Sequence, residues 1–370
     1  MIAIKKIYKR DIPALLEDTD FWEHSFLSIS RNRLYAHLKS PNSNDDDIVL
    51  LLAYLDNELV GYMGVYTDRI RIADRTEKIG WLSTWWVHPK TKGSGIGREI
   101  LNTMYSEHNG RIGISQFTPS ARRVYDKSGY FRSLKDSIGI KAVLRSNLSF
   151  VLPALYPKLR AMTGLLQAVD HLLNAVVNIK LWLQRPAVEK RLKGITVDYL
   201  SSPDAAMMQV VQDHGKDDIS IKDKAFFEWL KACQWVHKAS LLKFTRHDRY
   251  AFSMYDKSFE VNLIKISLNK ECIGFIVLQK RNYVSKVLFA YYDAGQHTAV
   301  ISDIIKLENM RQNTREIICY DTPIANALKQ SAVFLYTTKK RKESIISNAF
   351  GEVDFAPKRM HFGDGDCCFA

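Results

Sequence analysis

Trp85-Trp86-Val87-His88-Pro89-Lys90-Thr91-Lys92-Gly93-Ser94-Gly95-Ile96-Gly97-Arg98 decides how the rest of the chain is read. An extended run over 79–87, rich in Trp and β-branched residues, leads into it, and Pro89 bars its continuation as a strand. Three glycines at alternate positions follow. Residues 98–108 then show helical periodicity, with Ile100, Leu101 and Met104 apolar. Glycines let backbone N–H groups converge without Cβ obstruction, which makes an anion-binding nest. The following helix points its positive end at the same spot, and Lys90, Lys92 and Arg98 add charge. Such a turn suits a diphosphate. Its spacing is neither a Walker A nor a Gly-x-Gly-x-x-Gly fingerprint, and a glycine turn alone is often only a tight connection.

Working outward, 48–55 and 59–66 are apolar runs separated by the turn Asp56-Asn57-Glu58, a hairpin signal. Residues 111–117 read as a strand. Residues 119–128 read as a short helix, with Pro at the first turn and Gly129 just past the end. The start, Met1 to Ile7, reads as a strand rather than a leader, because no continuous apolar core follows its lysines. The second half repeats this order. Asn57 to Tyr62 (NELVGY) reappears as Lys270 to Phe275 (KECIGF), and Thr118-Pro119-Ser120-Ala121 as Thr322-Pro323-Ile324-Ala325. The separation falls from 213 to 204 residues between these anchors. The reading is a degenerate internal duplication that has lost the glycine turn.

Three segments follow: a domain over 1–138, a connector over 139–194 and a second unit over 195–370. Residues 141–193 hold nine Lys/Arg and two acids, more than half of the chain's net charge of +13. Leu159, Met162, Leu165, Val169, Leu172, Val176, Ile179 and Leu183 recur every three or four residues, one apolar face of a long helix. Lys158, Arg160, Asp170 and Lys180 interrupt it and argue against a transmembrane span. The expected role is a helix packed between the two domains; the alternative is a helix lying on a membrane surface.

The glycine stretch resembles the coenzyme-binding motif of the GNAT superfamily of acyl-CoA-dependent N-acetyltransferases, Arg/Gln-x-x-Gly-x-Gly/Ala, with Lys92 at its first position. A second signature of that family is matched by Ala121-Arg122-Arg123-Val124-Tyr125-Asp126-Lys127-Ser128-Gly129-Tyr130. The resemblance covers 2–138 firmly and 195–370 as a worn copy. It implies an α/β architecture of two GNAT-like mixed-sheet domains joined by a helical connector, the second degenerate. It implies acetyl-CoA as co-substrate and no metal. The backbone of Lys92, Gly93, Ser94, Gly95, Ile96, Gly97 and Arg98 would hold the coenzyme diphosphate, with Thr118 and Ser120 near it. Backbone groups near Trp85 and Val87 would polarise the thioester carbonyl, and Tyr125 would protonate the departing thiolate. The Trp-rich strand and tandem layout look most like the amino-sugar acetyltransferases of bacterial surface-polysaccharide synthesis. That likeness implies a primary amine acceptor on a nucleotide- or lipid-linked sugar.

The general base is less legible. Residues 79–87 contain no carboxylate, which leaves His88, Glu77 before the strand, or a water chain held by Ser83 and Thr84. By period two, Trp81 and Trp85 share a face, where they are core or stack on an acceptor. A missing base also fits another class of protein, a non-catalytic acyl-CoA-binding scaffold; protein or peptide N-acetylation is a third reading.

Composition bounds these readings. In 370 residues, 46% are hydrophobic and 25% charged, an ordinary globular profile. A net charge of +13 favours anionic partners: phosphorylated small molecules, or an acidic membrane face. Nucleic acid is the less expected partner: Lys339-Lys340-Arg341-Lys342 reads as a solvated loop. Five cysteines without a CxxC pair point to a reducing, cytoplasmic setting, with peripheral contact at the inner membrane face as an option. His and Cys show no metal spacing. Asp364-Gly365-Asp366 resembles part of a calcium loop without its later ligands and reads as a turn into a final strand.

Overall fold

The computed structural model describes residues 1–370 except 25, 73–74, 234, 236, 239–254, 257 and 370. Strands β1 (Ile2–Tyr8), β2 (Ile48–Leu55), β3 (Glu58–Ile72) and β4 (Arg75–Val87) form an antiparallel meander, with helix α1 (Arg31–Leu38) between the first two. After α2 (Ile96–Glu107) comes β5 (Ile112–Ile114), parallel to β4; α3 (Pro119–Ser128) and β6 (Phe131–Val143) follow. Helices α4 (Leu148–Leu155) and α5 (Thr163–Arg191) make the connector. The second half contains β7 (Ile195–Leu200), α6 (Lys224–Ala232), β8 (Phe259–Leu268), β9 (Glu271–Arg281), β10 (Val284–Tyr292), α7 (Thr298–Arg311), β11 (Glu316–Cys319), α8 (Thr322–Lys329) and β12 (Tyr336–Ser347).

The duplication is visible in local geometry. Asp56-Asn57 and Asn269-Lys270 both close two-residue hairpins with both residues at positive φ, as the twist of the flanking strands demands. A bulge after Ala53 in β2 recurs after Ile266 in β8, opposite Gly61 and Gly274. A Cβ at either glycine would press on the following helix, at Ile100 and Ile301 respectively. The shortening of the second copy lies elsewhere than expected. β3 and β4 have 15 and 13 residues, β9 and β10 only 11 and 9, so most of the loss is in this hairpin. The glycine turn does have a counterpart, the shorter loop 293–297.

These twelve strands form one mixed sheet in the order β1-β2-β3-β4-β5-β12-β6-β11-β10-β9-β8-β7. The two halves exchange their last strands. β12 pairs with β5 through Ile345–Ile114 and Ile346–Gly113, while β6 pairs with β11 from Glu316–Val143 to Cys319–Ile140. β12 and β6 run antiparallel along the centre. Lys339 to Lys342 thus lie inside a strand, not a loop, and the Lys342 side chain is buried against Phe362.

The connector departs from expectation. Its apolar spacing does make a helix, but the face carrying Leu165, Leu172, Val176, Ile179 and Leu183 is exposed. The stripe that packs on the second half is the opposite one, with Leu181 and Val188 buried beside α7. Asp170, read as an interruption, is buried as an anchor. It accepts bonds from the Ser146 and Ser149 hydroxyls and from the N–H groups of Leu148 and Ser149, and these hold α4 against α5.

Candidate functional site

β4 and β5 pair only at Gly80–Ile112 and Trp81–Gly113, after which the strands part. A bulge shapes the freed edge of β4. Tyr62 pairs with Trp86 and Gly64 with Ser83, so Thr84 and Trp85 face the single residue Met63. Thr84 takes φ 45, unusual for a β-branched residue, and its buried Oγ1 has no hydrogen-bond partner among the described residues. Gly64 gives it room, since a Cβ there would sit 2.8 Å from that oxygen. The extra residue resets the alternation of side chains. Trp81 therefore lies buried with Tyr66 and Phe226 on one face, while Trp85 joins Ile96, Ile100 and Tyr125 on the other. The shared face expected for Trp81 and Trp85 does not exist. Trp86 packs on Phe26, with ring centroids 4.4 Å apart.

The turn after β4 ends in α2, with Gly93 at φ 90 and Gly95 at φ 85. A Cβ on either would meet nothing within 4 Å, so the turn opens onto free space. The N–H groups of Lys92 and Ser94 are spent within the turn, on Pro89 and Thr91 carbonyls. Those of Gly93, Gly95, Ile96, Gly97 and Arg98 have no acceptor among the described residues. Five free donors at a helix N-terminus fit a doubly charged diphosphate. Lys92 and Arg98 are exposed beside them, whereas Lys90 pairs with Glu58. Thr118 caps α3 through the Ala121 N–H and shares a hydrogen bond with Ser120.

Trp85 links the turn to the tyrosine. A Cβ on Gly97 would lie 3.2 Å from the Trp85 ring, and that ring's centroid is 5.3 Å from that of Tyr125. Tyr125 is 3% exposed, and its hydroxyl bonds to no protein group among the described residues. Burial, then the nearby Asp366 carboxylate, pushes its pKa well above the usual phenol value.

Asp366 is the functional candidate that the sequence reading missed. Residues Gly365–Phe369 form a short 3-10 helix against β3, β4 and β5 instead of leading into a strand. Gly365 comes so close to Ser115 and Trp81 that a Cβ would clash at 2.7 Å. The Asp366 carboxylate accepts a bond from the Ser115 hydroxyl, just past β5 where the strands part. Burial raises its pKa, and the Ser115 bond, Arg33, Lys342 and Ser83 oppose that rise. Asp366 thus brings a carboxyl of raised pKa near the Tyr125 phenol, where β4 and β5 part. The only available signal was the apolar run Cys367-Cys368-Phe369, which buries the end of the chain.

Of the other base candidates, Thr84 has its Oγ1 unpaired among the described residues, and the remaining three are engaged by protein groups. His88 Nδ1 accepts from the Lys90 N–H and so caps the next turn. Ser83 receives a hydrogen bond from the buried Arg33 guanidinium. Glu77 pairs with Arg75 and Arg111 at the far end of β4, about 30 Å from Val87 at strand rise.

The second half repeats the parting of strands without this chemistry. β10 and β11 pair from Val284–Glu316 to Lys286–Ile318 and then separate over a cavity of about 1110 Å³, lined by Tyr292, Asp321, Lys329 and His361 among others. The N–H groups of Gly295 and Gln296 are already taken by the Asp293 carboxylate. α8 is capped by Asp321 rather than by Thr322. Counted from the cap, Leu328 stands where Tyr125 stands in α3. Among the described residues no group of three or more His, Cys, Asp and Glu could hold a metal.

Residues 3–130 match the sequence model of the Acetyltransferase (GNAT) family. No curated protein matches the chain by sequence. Among solved structures, a GCN5-related N-acetyltransferase from Anabaena variabilis superposes with a TM-score of 0.50 at 8% identity, over 94% of this chain and 72% of that one. A conserved protein of unknown function from Enterococcus faecalis, a probable N-acyltransferase, gives 0.50 at 7% identity, over 95% and 75%. The chain thus has the mixed α/β GNAT fold, laid out twice along one sheet.

Proposed function

We propose that this protein is an acyl-CoA-dependent N-acyltransferase working from its first half. The observation that carries the reading is the row of five unpartnered amides from Gly93 to Arg98, one tryptophan away from a buried tyrosine. An acyl-CoA supplies an acyl group activated as its thioester. The amides of the turn bind and orient its diphosphate, and the unpaired edge of β4 near Trp85 and Val87 holds the thioester carbonyl. Tyr125 holds the proton that the leaving thiolate needs. Asp366 removes the proton from the attacking amine, since a carboxylate whose pKa burial has raised is a stronger base than an exposed one. With Asp366 at the opening, the absence of a carboxylate from 79–87 no longer speaks for a scaffold without chemistry.

The acceptor we propose is a primary amine on an amino sugar, nucleotide- or lipid-linked, used in surface-polysaccharide synthesis. The excess positive charge supports an anionic acceptor of this kind. The test is turnover. Protein, acetyl-CoA and a panel of amines that includes nucleotide-linked amino sugars and short peptides should release free thiol, with the sugars preferred. Coenzyme binding without thiol release from any amine overturns the enzymatic reading; preference for peptides overturns the sugar acceptor.

A further inference from the structure

Helix α5 has two apolar faces pointing in opposite directions. Leu181 and Val188 face the second half and are buried, and Val177 packs beside them. At 100° per residue, Leu172 lies diametrically opposite Leu181. Around it Leu172 is 73% exposed, Val176 69%, Ile179 61%, Trp182 71% and Leu183 65%. Leu165 on the same face is also exposed, and exposed Phe150, Leu155, Tyr156 and Met162 lie in the segment before the helix. Single exposed apolar residues need no explanation, but a contiguous patch of this size marks an interaction site.

Charge at the two ends of the patch selects the occupant. Lys158 and Arg160 precede α5, and Lys190 and Lys193 lie at its other end. None of these four has an ion pair or a side-chain hydrogen bond among the described residues. The two acids of the segment are engaged elsewhere: Asp170 is buried, and Glu189 binds Arg185 and Arg311. A second copy seated here by a twofold axis would bring cationic ends against cationic ends, whether the helices ran parallel or antiparallel. A surface of anionic lipid answers both features at once. Apolar side chains enter the acyl boundary, the lysines and arginine meet headgroups, and Trp182 and Tyr156 sit at the interface. The helix lies on such a surface and does not cross it, since no helix of the described residues is long and apolar enough to span a bilayer. We infer that the exposed face of α5 docks this protein onto an anionic membrane surface.

The test is co-sedimentation of the full chain with phosphatidylcholine vesicles, with and without roughly one-third phosphatidylglycerol. Binding is expected only to the anionic vesicles at low salt, falling about tenfold or more in high salt as screening sets in. The double variant Leu172→Glu with Ile179→Glu should lose that binding while melting at the wild-type temperature. Equal recovery in the supernatant with and without anionic vesicles at low salt overturns the inference. So does a drop in melting temperature of the double variant, which would show the face to be packed inside the protein. A concentration-dependent dimer that Leu172→Glu abolishes would assign the face to a second copy instead. Thiol release plays no part in these readouts, so they stand apart from the enzymatic reading.

Discussion

The Asp366 carboxylate accepts a hydrogen bond from the Ser115 hydroxyl, fastening the end of the chain to the point where β4 and β5 separate. If Asp366 is the general base, Asp366→Asn should lower kcat by roughly 10²–10³-fold and leave acetyl-CoA affinity unchanged. A purely structural role gives a different pattern, with coenzyme binding and stability falling together. The Ser115 bond favours the ionised carboxylate. Ser115→Ala should therefore move the acid limb of the kcat profile to higher pH, and an unmoved limb would count against the assignment.

Tyr125 is buried with its hydroxyl free of partners among the described residues, so removing that oxygen should disturb little except proton transfer. Tyr125→Phe is expected to slow thiol release by about 10²-fold, with calorimetric affinity for acetyl-CoA within a factor of two of wild type. Burial and Asp366 hold the phenol protonated well beyond the usual range. The basic limb of the rate profile should accordingly belong to another group and survive the substitution. Unchanged turnover of Tyr125→Phe would remove the tyrosine from the mechanism.

The parts of this fold that local sequence dictates were readable. β2 ends at its Asp56-Asn57 turn, and α3 starts at Pro119 and stops before Gly129, where the turn and capping residues place them. Long-range features were not. A single bulged residue, Thr84, separates Trp81 from Trp85, and alternation counting has no access to it. The strand exchange that puts β12 beside β5 leaves no trace in either strand's own pattern. Asp366 was read as part of a turn into a final strand because its partner Ser115 is 251 residues away. The connector failed differently. Its apolar stripe was real, but the rule that apolar faces turn inward does not hold for a helix with two such faces.

Gly95 allows a direct test of the amide nest. Its φ of 85 belongs to the left-handed region, which costs a side chain of L configuration about 1–2 kcal/mol. Since nothing stands within 4 Å of the missing Cβ, Gly95→Val should fold. The strain would instead be relieved by rotating the turn and scattering its N–H groups. Acetyl-CoA affinity should fall about tenfold or more with the melting temperature nearly unchanged. Full affinity in this variant would place the diphosphate elsewhere.

His37, in α1, is buried and stacked on Phe369 with ring centroids 5.3 Å apart, and its Nε2 has no hydrogen-bond partner among the described residues. Burial, with Arg33 and Lys9 near by, lowers its pKa to about 3. Unfolded, the same imidazole titrates near 6.5. Between those values the unfolded chain binds the extra proton, so stability present above about pH 6.5 drains away as the pH falls toward 3. At pH 4.5 the loss from this one group is about 2–3 kcal/mol. Other groups add their own slopes, and the comparison with His37→Phe, which keeps a ring against Phe369, separates them. Chemical denaturation at pH 7.5 and pH 4.5 should show the wild type losing more stability than the variant by about that amount. Since Phe369 closes the 3-10 helix that carries Asp366, wild-type turnover should fall in the same acid window. Equal losses in the two proteins would show that His37 is not the group that acid protonates.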